Sequence, residues 1–177
     1  GHPAATRDAP VLARLRAAGA VVMGTTNMVE FALGAVGLNP HYDTPRNPWD
    51  RVTGRIPGGS SSGAAVSVTD DMAAVALGTD TAGSIRMPAG FCGVVGFKPT
   101  SCRVPTEGLV PLSKSLDSAG PLGRSVACCA LVDAIFAGER PSPLRIKPAA
   151  NVTIAVPQNL VLDELDEAVA GAFQGAL

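Results

Sequence analysis

Aromatic side chains are scarce: five Phe, one Trp and one Tyr make up 4% of the 177 residues. A platform that stacks nucleic-acid bases needs several such rings, so that role is excluded. An excess of either charge is also missing, since 14 Lys+Arg stand against 15 Asp+Glu for a formal charge of −1. A polyanion partner and direct nucleic-acid binding are therefore not expected. The longest fully apolar run, Val126 to Val132, is far below the ~20 residues that span a bilayer, so no membrane partner is expected either. His2 and His41 are the only histidines, and Cys92, Cys102, Cys128 and Cys129 form no C-x-x-C pair. No Cys/His/carboxylate spacing suits a metal, and no cofactor is expected. With no secretory leader in view, the cysteines read as reduced, small hydrophobic side chains in a cytoplasmic protein.

Small apolar residues are plentiful. Apolar residues make up 46% of the chain, enough for an Ala/Val/Leu-rich core, and the length fits one domain at roughly 150 residues each. The 20 glycines and 15 prolines require several unusual turns. The chain opens Gly-His-Pro without Met, Gly1–His2 reads as a tag remnant, and the C-terminus falls inside a helical pattern from Asp163 to Leu177. The expectation is a single partial domain, 1–177, with parts on both sides absent.

Helix and strand signals alternate, which indicates an α/β layered architecture. Asp8, Pro10 and Gly19 suit the cap, first turn and C′ position of a helix whose Val11, Leu12 and Leu15 share a face. Residues 20–24 read as a short buried strand, and Met28 to Leu33 as one or two helical turns. Residues 34–58 form a long irregular segment with four prolines, where Trp49 is expected to pack the loop down. Residues 63–69 read as a small-residue helix, 73–78 as a strand, 84–91 as a helix start and 94–97 as a strand. The pattern over 125–137 is apolar on nearly every side and reads as a buried helix. A strand is expected over 152–156, followed by a helix from Asp163.

Two serine turns carry the densest chemical signal. One is Pro57-Gly-Gly-Ser-Ser-Ser-Gly63, and the other is Gly78-Thr-Asp-Thr-Ala-Gly-Ser84-Ile-Arg86. Glycine beside serine at a strand–helix junction permits positive φ and leaves N–H groups free for an anion or a developing oxyanion. A helix over 61–71 rises roughly 16 Å at 1.5 Å per residue. A strand over 73–78 returns roughly 20 Å. If they run antiparallel, Ser84 comes back to the edge where Ser60 sits.

Four chemistries compete for these turns. A P-loop needs Lys where Ala64 and Ser84 stand. The elbow G-x-S-x-G is matched by Gly59 to Gly63, but its fold needs a downstream His, and both histidines lie upstream. The serines as plain helix caps remain open. So does Ser-Ser-Lys amide hydrolysis.

The two turns resemble the signature of the amidase signature family. So do Gly19 to Asn27, Asn47-Pro-Trp-Asp50, Phe91 to Thr100 and Ser115 to Pro121, in order from about Asp8 to beyond Arg124. The resemblance implies a mixed β-sheet core flanked by helices, of which this chain supplies the central part. It implies hydrolysis of a linear carboxamide through a serine acyl-enzyme. Ser84 matches the nucleophile and Ser60 the bridging serine, whose preceding peptide bond is cis in the family. The N–H groups of Thr81, Ala82, Gly83 and Ser84 match the oxyanion hole, and Gly58, Gly59, Ser61, Ser62 and Gly63 complete the Gly-rich loop. The family's catalytic Lys lies farther upstream than residue 1, while Lys98, Lys114 and Lys147 are all downstream.

At position 82 most members carry Gly, so Ala82 must work at negative φ or under strain. Arg86 is expected to pair with Asp80 or Asp117, the alternative being a substrate carboxylate. His41 reads as a surface or hydrogen-bonding residue and Cys92 as an inert core thiol. The partner implied is a small-molecule amide, with a homo-oligomer left open. One alternative function is a glutamine-hydrolysing amidotransferase subunit that passes ammonia to an aminoacyl-tRNA site on other subunits. The other is an inactive amidase-fold binding protein.

Overall fold

The computed structural model describes residues 5–146, 148–159 and 162–177; Gly1–His2 and Lys147 lie outside them. Two compact units are present, residues 1–144 and 145–177.

The first unit is layered around a small sheet. Helix α1 spans Pro10–Ala17, α2 Ser62–Thr69, α3 Arg86–Cys92 and α4 Val126–Ala137. Strands β1 (Val75–Asp80), β2 (Val95–Gly96) and β3 (Ser118–Gly123) form a three-stranded sheet in the order β1-β3-β2. Both pairings are antiparallel, with Val75 opposite Gly123 and Asp80 opposite Ser118 along β1/β3. The layered α/β reading is correct, and this chain contributes an antiparallel portion of sheet.

Central β3 is buried along its whole length. Because side chains alternate across a strand, it feeds two cores. Leu122 joins Ala64, Ala65 and Val68 of α2 and Ile85, Ala89 and Cys92 around α3. Ala119 joins Val11 of α1, Val104, and Val132 and Phe136 of α4. The small residues of α2 let that helix lie close to β1, which holds the first serine turn against the sheet.

Several sequence expectations change. Residues 20–24 are exposed and form no strand; an apolar run becomes a buried strand only beside a ladder partner, and no described residue pairs with it. The same holds for 152–156, where Val152 and Ile154 are exposed. The N-cap of α1 is Ala9, without a side-chain bond, because Asp8 instead pairs with Arg16. Helix α4 buries only the stripe Cys129, Val132, Asp133 and Phe136, leaving Val126 and Leu131 exposed. Trp49 is 88% exposed; the neighbouring Asn47 anchors the loop, its amide donating to the carbonyls of Ile56 and Phe91 at 3.0 Å each.

Cys92 and Cys129 are buried, but Cys102 and Cys128 are exposed, so only the first pair acts as core hydrophobes. Burial, reinforced by the charge of Asp70, pushes the Cys92 thiol up to about 11. In the second unit, α5 (Glu167–Ala176) begins later than expected. Asp166 caps it by accepting from the Val169 amide at 2.9 Å. No helix among the described residues is long and apolar enough to cross a membrane.

Candidate active site

The two serine turns meet. The Ser61 N–H donates to the Ser84 carbonyl at 3.1 Å. The Ser61 hydroxyl bridges both main-chain groups of Thr79, accepting from its N–H and donating to its carbonyl at 3.2 Å each. β1 is an edge strand of this sheet, and on its open side one serine stands in for a ladder neighbour. Ser61 therefore docks the Gly-rich turn on β1, while Ser60 and Ser84 flank that docking point.

Ser60 is fully buried and Ser84 is 8% exposed. The Gly59–Ser60 peptide bond is cis. The Ser60 carbonyl accepts from the amides of Val29 and Ser62, yet its buried hydroxyl has no hydrogen-bond partner among the described residues. Gly63 allows the segment before Met28 to cross the start of α2: its N–H donates to the Asn27 carbonyl at 2.9 Å. A Cβ on Gly63 would lie 2.6 Å from the Asn27 nitrogen.

A buried carboxylate shapes the second turn. Asp80, wholly inaccessible to solvent, accepts from the Gly83 amide at 2.7 Å and the Ile85 amide at 3.1 Å. Arg86 grips it with two bonds, Nε to Oδ2 and Nη2 to Oδ1, at 3.0 Å each. Burial alone would raise the Asp80 pKa. The Arg86 hydrogen bond, the Ile85 amide, the Arg86 charge and the Gly83 amide outweigh it and hold the group below its ordinary value. In return the bond to Asp80 raises Arg86.

Of the two roles weighed for Arg86, the pairing with Asp80 is the one present. Ala82 is absent from the residues at positive φ, whereas Gly83 takes +136°, a backbone that L side chains rarely adopt. Because the Gly83 amide already serves Asp80, the row Thr81–Ser84 presents fewer free donors than its sequence suggests.

Sequence reasoning passed over three residues. Asn27 and Asn39 tie the Gly-rich turn to the long irregular segment, the Asn39 amide donating to the Asn27 side chain at 3.1 Å and to the Met28 carbonyl at 2.7 Å. Asp117 accepts from the Thr81 hydroxyl. A cavity of about 400 Å³ opens beside Thr81, bounded also by Asp117, Lys114 and the 106–112 loop. His41 is an exposed residue facing Glu30 at 3.4 Å.

A layered sheet whose edge strand carries two docked serine turns places the chain in the class of amidase-fold proteins. The family model described as Amidase matches residues 2–177, and the chain belongs to that family. It is 46% identical to 2-amino-5-chloromuconic acid deaminase of Comamonas testosteroni over 95% of its own length and 37% of that protein. It is 42% identical to a glutamyl-tRNA(Gln) amidotransferase subunit from Syntrophobacter fumaroxidans, over 96% of the chain and 37% of that relative. A crystal structure of an amidase superposes with a TM-score of 0.88 at 44% identity, covering 99% of this chain and 39% of that one. The chain thus spans a little over a third of the length of these relatives.

Proposed function

We propose that this chain carries the nucleophile and oxyanion portion of an enzyme that hydrolyses a linear carboxamide, or a related C–N bond, through an acyl-enzyme on Ser84. The observation that carries this reading is the Ser61–Ser84 main-chain bond, which sets the buried, unpartnered Ser60 hydroxyl beside the Ser84 turn. Ser84 Oγ attacks the carbonyl carbon while its proton passes to Ser60 Oγ. The N–H groups of Thr81, Ala82 and Ser84 receive the developing oxyanion, and Gly83 shapes the turn from behind. The tetrahedral adduct collapses, the C–N bond breaks, and the amine leaves with a proton. Water then attacks the ester carbon, the acid departs and Ser84 regains its proton.

The Ser60 hydroxyl relays protons only if a base accepts from it. An unsatisfied buried hydroxyl costs about 1–3 kcal/mol, so a neutral lysine amine supplied from outside residues 1–177 suits this position. The substrate is then a small-molecule amide and the setting cytoplasmic, with homo-oligomerisation a separate question. A second reading, the glutamine-hydrolysing subunit of an amidotransferase, is favoured by relatives of that name at 42% and 53% identity. Other subunits would be its partners.

The test is ammonia release from a panel of linear amides, glutamine among them, by the full chain with and without Ser84→Ala. Turnover and fluorophosphonate labelling are expected to vanish in the variant, with unfolding free energy within about 1 kcal/mol of wild type, as for a loop position. Glutamine turnover that appears only with partner subunits selects the second reading. Activity that survives Ser84→Ala refutes both, and an inactive wild type leaves the binding-protein alternative.

A further inference from the structure

The β1/β3 ladder ends with Asp80 opposite Ser118, and one step further stand Thr81 and Asp117. Here side chains take over from main-chain pairing. The Thr81 hydroxyl donates to Asp117 Oδ1, while Asp117 Oδ2 accepts from the amides of Leu112 and Ser113 at 2.9 Å each. One carboxylate therefore ties the start of the 81–84 turn to the loop that walls the 400 Å³ cavity. Asp80 holds the other end of the same turn through Gly83, Ile85 and Arg86. The turn is clamped at both ends by carboxylates, and only one of them lies within the serine motif.

We infer that Asp117 is a positioning residue for the hydrolysis. It fixes Thr81 so that the Thr81 main-chain N–H keeps its aim at the oxyanion, and it locks the Leu112–Ser113 wall to the same point. The inference rests on the Ser84 reading. Its physical basis is preorganisation: oxyanion donors act because they are aimed before charge develops. A misplacement near 1 Å can cost about 10²-fold in rate. Charge-assisted bonds are roughly twice as strong as neutral ones, and three donors converge on this carboxylate. Burial raises the Asp117 pKa, but the Thr81 hydroxyl and the Ser113 and Leu112 amides outweigh it, so the acceptor stays ionised.

Thr81→Val deletes the hydroxyl and keeps both the shape and the main-chain N–H; Thr81→Ser keeps the hydroxyl. In the full chain, acting on the best amide of the panel, Thr81→Val and Asp117→Asn are each expected to lower kcat by about 10- to 10²-fold. KM should stay within about threefold, and Thr81→Ser should stay close to wild type, because these bonds act on aim rather than binding. The double variant should be no slower than the slower single variant, since both changes break one bond. Should Asp117→Asn fail to fold, the Thr81→Val and Thr81→Ser pair decides alone. A Thr81→Val enzyme within twofold of wild type, equal losses in Val and Ser, or losses that multiply in the double variant would overturn the positioning role. Activity surviving Ser84→Ala overturns the Ser84 reading instead.

Discussion

Asp80 shows how one side chain can set a turn. It collects two main-chain amides and a bidentate Arg86 within 3.1 Å, so the turn has a charged centre that must stay ionised. A carboxyl held below its ordinary pKa of about 3.9 contributes stability that is present above that value and lost as pH falls through the lowered one. Asp80→Asn is therefore expected to destabilise the protein by about 2–3 kcal/mol at neutral pH. That is less than the 3–5 typical of a broken buried pair, because Arg86 is half-exposed. The gap to wild type should narrow below about pH 4; denaturant titrations at pH 7 and pH 3 measure it, and an unchanged gap would remove the carboxylate from the account. Asp80 and Arg86 are legible in the sequence because both lie inside the motif. Asp117 enters there only as a possible partner of Arg86, and its grip on Thr81 depends on the β1/β3 register, which local spacing does not reveal.

At the scale of elements, glycines decide how closely segments approach. Gly63 opens α2 where Asn27 crosses, and a Cβ there would fall 2.6 Å from one main-chain atom and 2.7 Å from another. Neither can move aside as a flexible side chain would. Gly63→Ala should cost about 1–3 kcal/mol through overpacking. Gly90, inside α3 with nothing near its would-be Cβ, should respond oppositely, gaining about 0.5–1 kcal/mol on change to Ala. Thermal unfolding of the two variants side by side tests the contrast, and equal shifts would show that crowding at Asn27 is not the cause. Helices α2, α3 and α4 are readable from cap residues and small-residue runs. The stretches 20–24 and 152–156 carry a strand-like pattern without forming strands. Apolar composition reports a preference for burial, whereas a strand exists only with a hydrogen-bonded neighbour.

Across the whole molecule, apolar side chains remain exposed in number. Val21, Met23, Phe31, Leu33 and Val52 are all more than 70% accessible, in a chain that spans 37% of two relatives. Apolar patches of this kind drive association or bind hydrophobic probes. Residues 1–177 expressed alone should bind anilinonaphthalene sulfonate and self-associate as concentration rises, which sedimentation would register. A monodisperse, dye-silent preparation would contradict this. Residue order alone specified the family, the layered α/β class and the serine turns, because glycine spacing and hydroxyl placement are local facts. Which amides of the second turn stay free, which faces of the helices are covered and which carboxylate aims Thr81 emerged only in three dimensions. Those outcomes depend on what strand pairing and side-chain packing bring into contact across dozens of residues.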